Sequence, residues 1–551
     1  MKHITNALKK RIAIVMVFIA MFAVIPSPMT LAADPSGNTP IVYIKGYQEL
    51  IKLDGNGGST HLLDDDGDIV DNAISQAAPL FAKALVTDDW DEYCDVTYEA
   101  LKPLYADAQP SPDGTVDPNT GVGNYFENDL WSWSPEEIDP ALNEQPYAFY
   151  EYNFDFRLSM LKNAEDLHAF VKAVEEKTGH DKVIMVGRCG STNLIAAYLY
   201  QYQEPVNYAD LEKLILISSN VDGVDFMEAL LGGTVKINPE ATYRLVKYQG
   251  YLDDAIADEG IVAFLNATID MLADTGLGLK AICKLAQHIY EKVKDRLIAR
   301  LMKEYYGICP GYITFVNENY EAYRSYIFQE EGDMEKYAAI IADADEYHYH
   351  AQVGFDERLQ TMRDMGIEVD LVALYGDQTY PLMESADLTS DRIASVEDQS
   401  LGGRAAPLTG TFSAAYIAAR EAEGKGAYLS PDRQIDASTG LFPDTTWYIK
   451  NSKHTFGDPL QGLVNVLTRT KNVTVNSDPA YPQFLNHFDT GLVPAQEKNE
   501  NDMDWAAVEQ ERNEWPLRMP QSFFQMLKSL LRMLVDYLKT QLAPFRAKVS
   551  E

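Results

Sequence analysis

Five short apolar runs, separated by longer amphipathic stretches, dominate the pattern of hydrophobic and polar positions along the chain. Apolar runs of this length, bounded by glycine or polar residues, are typical of strands that are buried on both faces. Between several of them, apolar residues recur every three or four positions, as in the segment 164–177, where Leu167 and Val174 share one helical face. This alternation predicts an α/β fold with a mostly parallel sheet covered on both sides. The predicted strands lie at 40–46, 183–187, 214–219, 369–376 and 446–450.

The alternation breaks between about residues 226 and 365, where the pattern is mainly helical, as in 263–272 and 285–305. We expect this stretch to form a helical cap inserted into the α/β core. The predicted organisation is a secretory signal peptide at 1–33, a first core part at 34–225, the cap at 226–365, a second core part at 366–475 and a C-terminal extension at 476–551.

The second predicted strand runs into the sequence Gly-Arg-Cys-Gly-Ser at 187–191, which has the form of a strand turning sharply into a helix. Enzymes with the α/β-hydrolase fold hold their nucleophile at such a turn, within a G-x-S-x-G pattern. Here Cys189 occupies the apex and Ser191 replaces the last glycine. We therefore predict that Cys189 is a nucleophile. The alternative is a small buried side chain at a strand end, because free cysteine is among the most buried residue types.

A nucleophile of this fold is followed along the chain by an acid and then by a histidine. His454 comes just after the last predicted strand and is the predicted base, with His487 as a downstream rival. The predicted acid is Asp432, which opens a turn followed by small hydroxyl residues, as the acid of lipases does. Asp436 and Asp377 remain alternatives, since each of these aspartates also suits a turn-capping role.

An oxyanion hole in this fold combines the N–H group after the nucleophile with one from the loop after an early strand. Gly190 follows Cys189, and the loop Gly46-Tyr47-Gln48 follows the first predicted strand. We therefore predict that the N–H groups of Tyr47 and Gly190 form the oxyanion hole.

The N-terminus carries Lys2, Lys9, Lys10 and Arg11, then an apolar stretch at 12–25 and small residues up to Ala33. This pattern is typical of a cleaved secretory signal peptide and predicts an exported protein. The chain has a formal net charge of −37. Such an acidic protein is not expected to bind nucleic acid, because the phosphate backbone requires neutralising cations.

Four cysteines are few for an exported chain of this length: Cys94, Cys189, Cys283 and Cys309. If Cys189 is a working thiol, at most one disulfide forms among the other three. Cys283 and Cys309 are the candidate pair, with four reduced thiols as the alternative.

Three further segments, in the same order along the chain, resemble the lecithin:cholesterol acyltransferase family of α/β-hydrolases. Residues 152–159 are similar to the family segment Y-D-W-R-L-S, residues 214–233 to its P-x-x-G-S strand end with the following L-L-S-G, and residues 308–320 to its cap segment M-P-S-x-W-x-L-x-P. The chain departs from the family in Cys189 at the apex, where serine is general, in Arg433 where glycine is expected, and near Asn220, where a proline is missing.

The resemblance implies acyl transfer on lipid or other carboxylic esters, as an O-acyltransferase or a lipase, through a Cys189, His454 and Asp432 triad. We expect neither a cofactor nor a metal. The alternative hypothesis is a non-catalytic binding protein on a hydrolase scaffold, because the apex and position 433 both depart from the pattern.

The tail is basic, with six basic and two acidic residues from Pro516 to Glu551, and an apolar face recurs through 521–542. A basic amphipathic helix binds membrane interfaces. The alternative is that its apolar face packs on the core or the cap.

Overall fold

The architecture is that of a computed structural model, which describes residues 39–47, 50–53, 59–61, 67–106, 108–122, 149–203, 208–248, 277–384, 387–454, 460–488, 490–505 and 507–508. The predicted signal peptide, Gln48, the helical pattern at 263–272 and the tail helix at 521–542 lie outside the described residues.

A single eight-stranded sheet forms the centre of the described structure. Its strands are β1 (Ile41–Ile44), β2 (Phe149–Tyr152), β3 (Val183–Arg188), β4 (Leu211–Ile217), β5 (Glu368–Tyr375), β6 (Thr446–Lys450), β7 (Phe484–Phe488) and β8 (Gly491–Pro494). They lie in the order β8-β7-β6-β5-β4-β3-β1-β2. All neighbours are parallel except β7 and β8. The predicted α/β class with a mostly parallel sheet is therefore confirmed.

The five predicted strands correspond to β1, β3, β4, β5 and β6, and the other three strands of this sheet were not predicted. Three smaller sheets were not predicted either; they are formed by Leu50–Leu53, Ser59–His61 and Thr120–Val122, by Asp377–Gln378 and Thr389–Ser390, and by Arg404–Ala405 and Ile435–Asp436. Glu151 interrupts the apolar run of β2, although all four residues of this strand are buried. Asn486 and His487 interrupt β7, and β8 is a short edge strand that ends in Pro494. The sheet therefore continues past residue 475, where we predicted the second core part to end.

The two faces of the sheet belong to different hydrophobic clusters, as expected for strands covered on both sides. Met185 points into a cluster with the helix Met160–Thr178, whereas Val186 points into one with the helix Gln461–Arg469. The helix Met160–Thr178 begins at Ser159, whose hydroxyl accepts the N–H groups of its first turn.

The other helices lie mainly between the strands. They are Gly67–Thr87 and Asp91–Leu101 before β2, Ser191–Gln201 after β3, and Asp225–Leu231, Pro239–Tyr248, Leu277–Val293, Ala299–Met302, Pro310–Ile313, Tyr320–Ile327, Asp333–Lys336, Ala338–Glu346 and Phe355–Asp364 between β4 and β5, with Val396–Gln399 and Ala414–Ala422 after β5. Short π-helical segments at Lys294–Ile298, Lys303–Gly307 and Tyr347–Gln352 extend three of them.

The described residues between β4 and β5 are helical and contain no strand, and the predicted helix at 285–305 lies within this region. Within the described ranges, no helix has both the length and the apolar character needed to cross a membrane.

Candidate active site

Cys189 lies at the apex of the predicted turn, between the end of β3 and the helix Ser191–Gln201. Its φ angle of 57° is in the left-handed region, which is costly for a residue with a side chain and is one of the strained conformations that occur at active sites. Ser191 braces the turn, because its hydroxyl accepts the N–H of Arg188 at 2.6 Å and donates to the carbonyl of Arg188 at 2.8 Å. A Cβ atom on Gly187 would lie only 2.2 Å from Ile195 Cδ1. The predicted sharp turn is confirmed, and its small residues have a steric reason.

The two loops predicted to form the oxyanion hole lie side by side at this thiol. A Cβ atom on Gly190 would lie 2.4 Å from the ring of Tyr47, and one on Gly46 would lie 3.9 Å from Cys189 Sγ. The N–H of Gly190 lowers the pKa of the Cys189 thiol. Tyr47 is buried, and its hydroxyl donates to the carbonyl of Gly311 at 2.5 Å. The backbone of both loops is thus held next to Cys189.

His454 follows β6 and is held by its main chain as well as by its ring. The N–H of His454 donates to the carbonyl of Asp391 at 2.8 Å, and the carbonyl of His454 accepts a hydrogen bond from Arg188 Nη2 at 2.6 Å. The ring Nδ1 lies 2.7 Å from Asp391 Oδ2. His487 lies on β7, four strand spacings from β3, or about 19 Å, so it is too far from Cys189 to act on it.

The acid beside His454 is Asp391, not the predicted Asp432. Asp391 is fully buried, and its Oδ1 accepts the N–H groups of Ile393 at 2.9 Å and Ala394 at 3.0 Å. Its Oδ2 is thereby left to face the imidazole. The structure corrects the predicted acid because the chain brings Asp391 to the histidine and turns Asp432 elsewhere.

Each of the three aspartates considered from the sequence has a cation as its partner. Asp432 Oδ2 lies 2.8 Å from Lys450 Nζ, Asp377 Oδ2 lies 3.2 Å from Arg392 Nε, and Asp436 Oδ2 lies 2.8 Å from Arg420 Nε. These carboxylates stabilise the loops around the site.

The sequence around Asp391 is similar to that around Asp432 but lacks the pattern that we sought, in which the aliphatic residue stands three positions after the aspartate, as Ile435 does. Asp391-Arg-Ile-Ala-Ser395 has an aspartate, an aliphatic residue two positions later and a small hydroxyl residue four positions later. Arg392 stands where glycine is expected and has a φ angle of 90°, a conformation that glycine adopts without strain. Arg392 thus keeps a positive φ angle at the position of the turn where glycine is expected.

The segment after β4 also contributes two residues that the sequence did not single out. The hydroxyl of Ser218 donates to Asp391 Oδ2 at 2.5 Å and lies 3.1 Å from His454 Nδ1. The amide Nδ2 of Asn220 donates to Cys189 Sγ at 3.6 Å. Both side chains are fully buried, so this one segment contacts the thiol, the acid and the imidazole.

The thiol, the imidazole and the carboxyl group shift one another's ionisation. Burial by itself would raise the pKa of Cys189, but the charge of His454 and, to a smaller extent, the Gly190 N–H and the charge of Arg188 lower this pKa overall. Burial would lower the pKa of His454, but the charges of Cys189 and Asp391 raise it to about 10. Burial would also raise the pKa of Asp391, but the charge and hydrogen bond of His454 lower it overall. The arrangement therefore favours a thiolate beside an imidazolium.

His454 Nε2 is buried and makes no hydrogen bond of ordinary geometry among the described residues. The charge of His454 lowers the pKa of Cys189, and the charge of Cys189 raises that of His454. Because Nδ1 is held by Asp391, Nε2 is the nitrogen available to the sulfur and to a reacting group.

Two segments that carry the family resemblance pack together over the Tyr47 loop. Phe156 stacks on Tyr47 with ring centroids 4.6 Å apart, and its carbonyl accepts the N–H of Gly311 at 2.8 Å. Buried Arg157 pairs with Asp155 at 2.6 Å and fixes the loop that carries Phe156. The segment around Gly311 therefore covers the site from the helical region between β4 and β5.

All four cysteines are buried free thiols, so the predicted disulfide between Cys283 and Cys309 is wrong. The sulfur of Cys309 instead donates to the carbonyl of Phe156 at 3.6 Å. Burial raises the pKa of Cys309 to about 12 and that of Cys94 to about 11, and it also raises the pKa of Cys283. Cys189 is thus the cysteine whose surroundings favour the thiolate.

Within the part of the chain that the structure describes, no group of three or more His, Cys, Asp or Glu side chains has the geometry to hold a metal ion. No protein-family model matches the chain, and no curated protein is significantly similar to it in sequence.

Proposed function

We propose that this protein is an acyl-transfer enzyme with an α/β-hydrolase fold, in which Cys189 is the nucleophile, His454 the base and Asp391 the acid. The observation that carries the proposal is the left-handed turn that holds Cys189 against the His454 and Asp391 pair. The chain order supports the same fold, because Cys189 follows β3, Asp391 lies between β5 and β6, and His454 follows β6.

The first half-reaction transfers an acyl group from an ester to the sulfur. The Cys189 thiolate attacks the carbonyl carbon and forms the C–S bond, and the N–H groups of Gly190 and Tyr47 stabilise the negative oxygen. When the tetrahedral intermediate collapses, the C–O bond to the alcohol breaks. The leaving alkoxide takes the proton from the His454 imidazolium, which leaves a thioester and a neutral imidazole.

The second half-reaction returns the enzyme to its starting state. His454 removes a proton from an alcohol or from water as its oxygen attacks the thioester carbon, and the thiolate leaves. Asp391 keeps Nε2 in place throughout and stabilises each imidazolium. An alcohol acceptor gives an O-acyltransferase and water gives a lipase or esterase.

Lipid or other carboxylic esters are the proposed substrates, on the basis of the resemblance to the lecithin:cholesterol acyltransferase family in the segments at 152–159 and 308–320. The N-terminal pattern supports export, which would bring the enzyme to extracytoplasmic esters. We also propose contact with a membrane surface through the C-terminal tail, because its basic, amphipathic sequence pattern is typical of helices that bind membrane interfaces.

The test uses the chain from Asp34 onwards with p-nitrophenyl esters of graded chain length, with and without an added alcohol. We expect ester turnover and an acyl group trapped on the peptide that contains Cys189, as found by mass spectrometry. Cys189→Ala should remove both, whereas the control Cys283→Ala should keep both. A folded protein that shows neither turnover nor an acylated Cys189 with any ester would favour the binding-protein hypothesis instead.

A further inference from the structure

Asn220 occupies an unusual position for a buried amide. It lies just after β4, its side chain is fully buried, and its Nδ2 group donates to Cys189 Sγ at 3.6 Å. Its Oδ1 has no hydrogen-bond partner among the described residues. A buried polar atom without a partner costs about 1–3 kcal/mol. Stability alone therefore does not account for asparagine here, since an apolar side chain of the same size would avoid that cost.

The backbone of Asn220 is tied directly to the turn that carries the thiol. Its N–H donates to Thr192 Oγ1 at 3.1 Å, and the hydroxyl of Thr192 donates to the carbonyl of Cys189 at 2.7 Å. The amide is thus held in a fixed place relative to the sulfur, which is what a preorganised donor requires.

We propose that Asn220 is a further catalytic residue, whose amide donates to the Cys189 thiolate and holds it ready to attack the acyl carbonyl. This inference rests on the proposed function of Cys189. A donor on sulfur stabilises the negative thiolate more than the neutral thiol. When the C–S bond forms, the negative charge moves to the carbonyl oxygen, and the Gly190 N–H remains as a donor beside it.

Other groups also influence the sulfur, and the test must separate Asn220 from them. His454 after β6 and Arg188 at the end of β3 lower the pKa of Cys189. Tyr43 on β1 and Tyr47 in the following loop are the ionisable hydroxyl groups on which the charge of Cys189 acts. None of these four side chains is changed in the variants below.

The test is the rate at which iodoacetamide alkylates Cys189 as a function of pH, followed on its peptide by mass spectrometry. Asn220→Leu removes the donor at similar volume, and Asn220→Asp replaces it with a carboxyl group. We expect the midpoint of the profile to rise in the leucine variant and to rise further in the aspartate variant, with about tenfold slower alkylation at pH 6 for leucine.

The matched control is Asn193→Leu, because Asn193 is a fully buried amide on the helix Ser191–Gln201 that makes no hydrogen bond with the sulfur. Its alkylation profile should be that of the unchanged protein. Thermal unfolding by circular dichroism establishes that each variant is folded. If Asn220→Leu folds poorly, Asn220→Asp decides the question.

An alkylation profile that is the same in the Asn220 variants and the unchanged protein would overturn the role of Asn220 while leaving Cys189 reactive. Ordinary thiol reactivity of Cys189 in the unchanged protein would instead contradict the proposed function. The two failures are therefore distinguishable.

Discussion

The turns at Asp391 and Asp432 are nearly the same in local structure and differ in what they face. In each turn an arginine follows the aspartate with a positive φ angle, 90° for Arg392 and 60° for Arg433. In each, the carboxylate accepts a main-chain N–H from the residue two positions later and a serine hydroxyl at 2.5 Å. The carboxylate of Asp391 faces His454, whereas that of Asp432 faces Lys450.

This difference decides the chemistry of the two carboxylates. A lysine is charged throughout the physiological range, so its partner Asp432 serves to fix the end of β6 four residues before His454. A histidine changes its charge during proton transfer, so in the proposed reaction its partner Asp391 would stabilise the imidazolium state. A turn with the right local pattern therefore identifies a candidate acid, and its partner in the tertiary structure identifies the role.

The largest expected effect is a difference in kcat between variants of Asp391 and variants of Asp432. Asp391→Asn should lower kcat by about 10³–10⁴-fold, because the imidazole then loses the group that orients it and stabilises its charge. Asp432→Asn should leave kcat within about threefold of the unchanged protein, because its ion pair does not contact the reacting groups. Steady-state kinetics with a p-nitrophenyl ester measures both. A large loss of kcat in a folded Asp432→Asn variant, with Asp391→Asn unaffected, would reverse the assignment.

Stability should also depend on the ion pair of Asp432. Among the described residues, Asp432→Asn leaves the buried ammonium of Lys450 with one carboxylate partner, Asp502, at 3.3 Å. Removing one partner of a buried ion pair costs several kcal/mol. Because Asp502 remains beside Lys450, we expect the free energy of unfolding to fall by about 2 kcal/mol. Urea denaturation of this variant beside Lys450→Met measures the loss. An unchanged urea midpoint in Asp432→Asn would show that the pair does not stabilise the fold.

The pH dependence of Cys189 alkylation sharpens the comparison further. The lowered pKa of Cys189 should keep it reactive below the ordinary thiol value of about 8.5, and the profile should rise with pH through that lowered pKa. Asp391→Asn removes a charge that raises the pKa of His454, so less imidazolium stabilises the thiolate and the midpoint should move up by about one unit.

Asp432→Asn is the matched control for this profile and should leave its midpoint in place. Turnover should also decline above about pH 10, where His454 loses the proton that the leaving alcohol needs. A midpoint that moves equally in both aspartate variants would contradict a specific coupling of Asp391 to the thiol.

The smallest expected effect concerns the two serines that donate to the two carboxylates. Ser218→Ala should lower kcat/KM by about fivefold, because one hydrogen bond to the Asp391 carboxylate is worth about 1 kcal/mol. Ser430→Ala removes the equivalent bond to Asp432 and should leave kcat/KM unchanged. Equal effects of the two substitutions would argue against a positioning role for Ser218.

Local sequence predicted the parts of the structure that depend on local physics. The apolar runs predicted the five central strands, and the small residues around Cys189 predicted the turn. Both features depend on side chains that lie within a few residues of each other in the sequence. The strands β2, β7 and β8 were missed because charged, polar or proline residues interrupt their patterns, and only their neighbours in the sheet make them strands.

The site was predictable to the same extent. Cys189 and His454 follow predicted strands, and they lie together in the structure. The acid was not predicted, because the aliphatic residue stands two positions after Asp391, whereas the pattern that we sought has it three positions later, as at Asp432. The disulfide prediction failed for a similar reason, since the pairing of cysteines depends on distances that the sequence does not contain.

The hydrogen bond from Arg188 to the carbonyl of His454 has a consequence for the entropy of the reaction. Arg188 precedes Cys189, the proposed nucleophile, and its guanidinium donates to the carbonyl of His454, the proposed base, whose N–H donates to the carbonyl of Asp391. The relative position of sulfur and imidazole is therefore fixed during folding, and substrate binding need not create it. The entropic cost of aligning the two groups is then part of the stability of the fold, and little of it remains in the activation barrier.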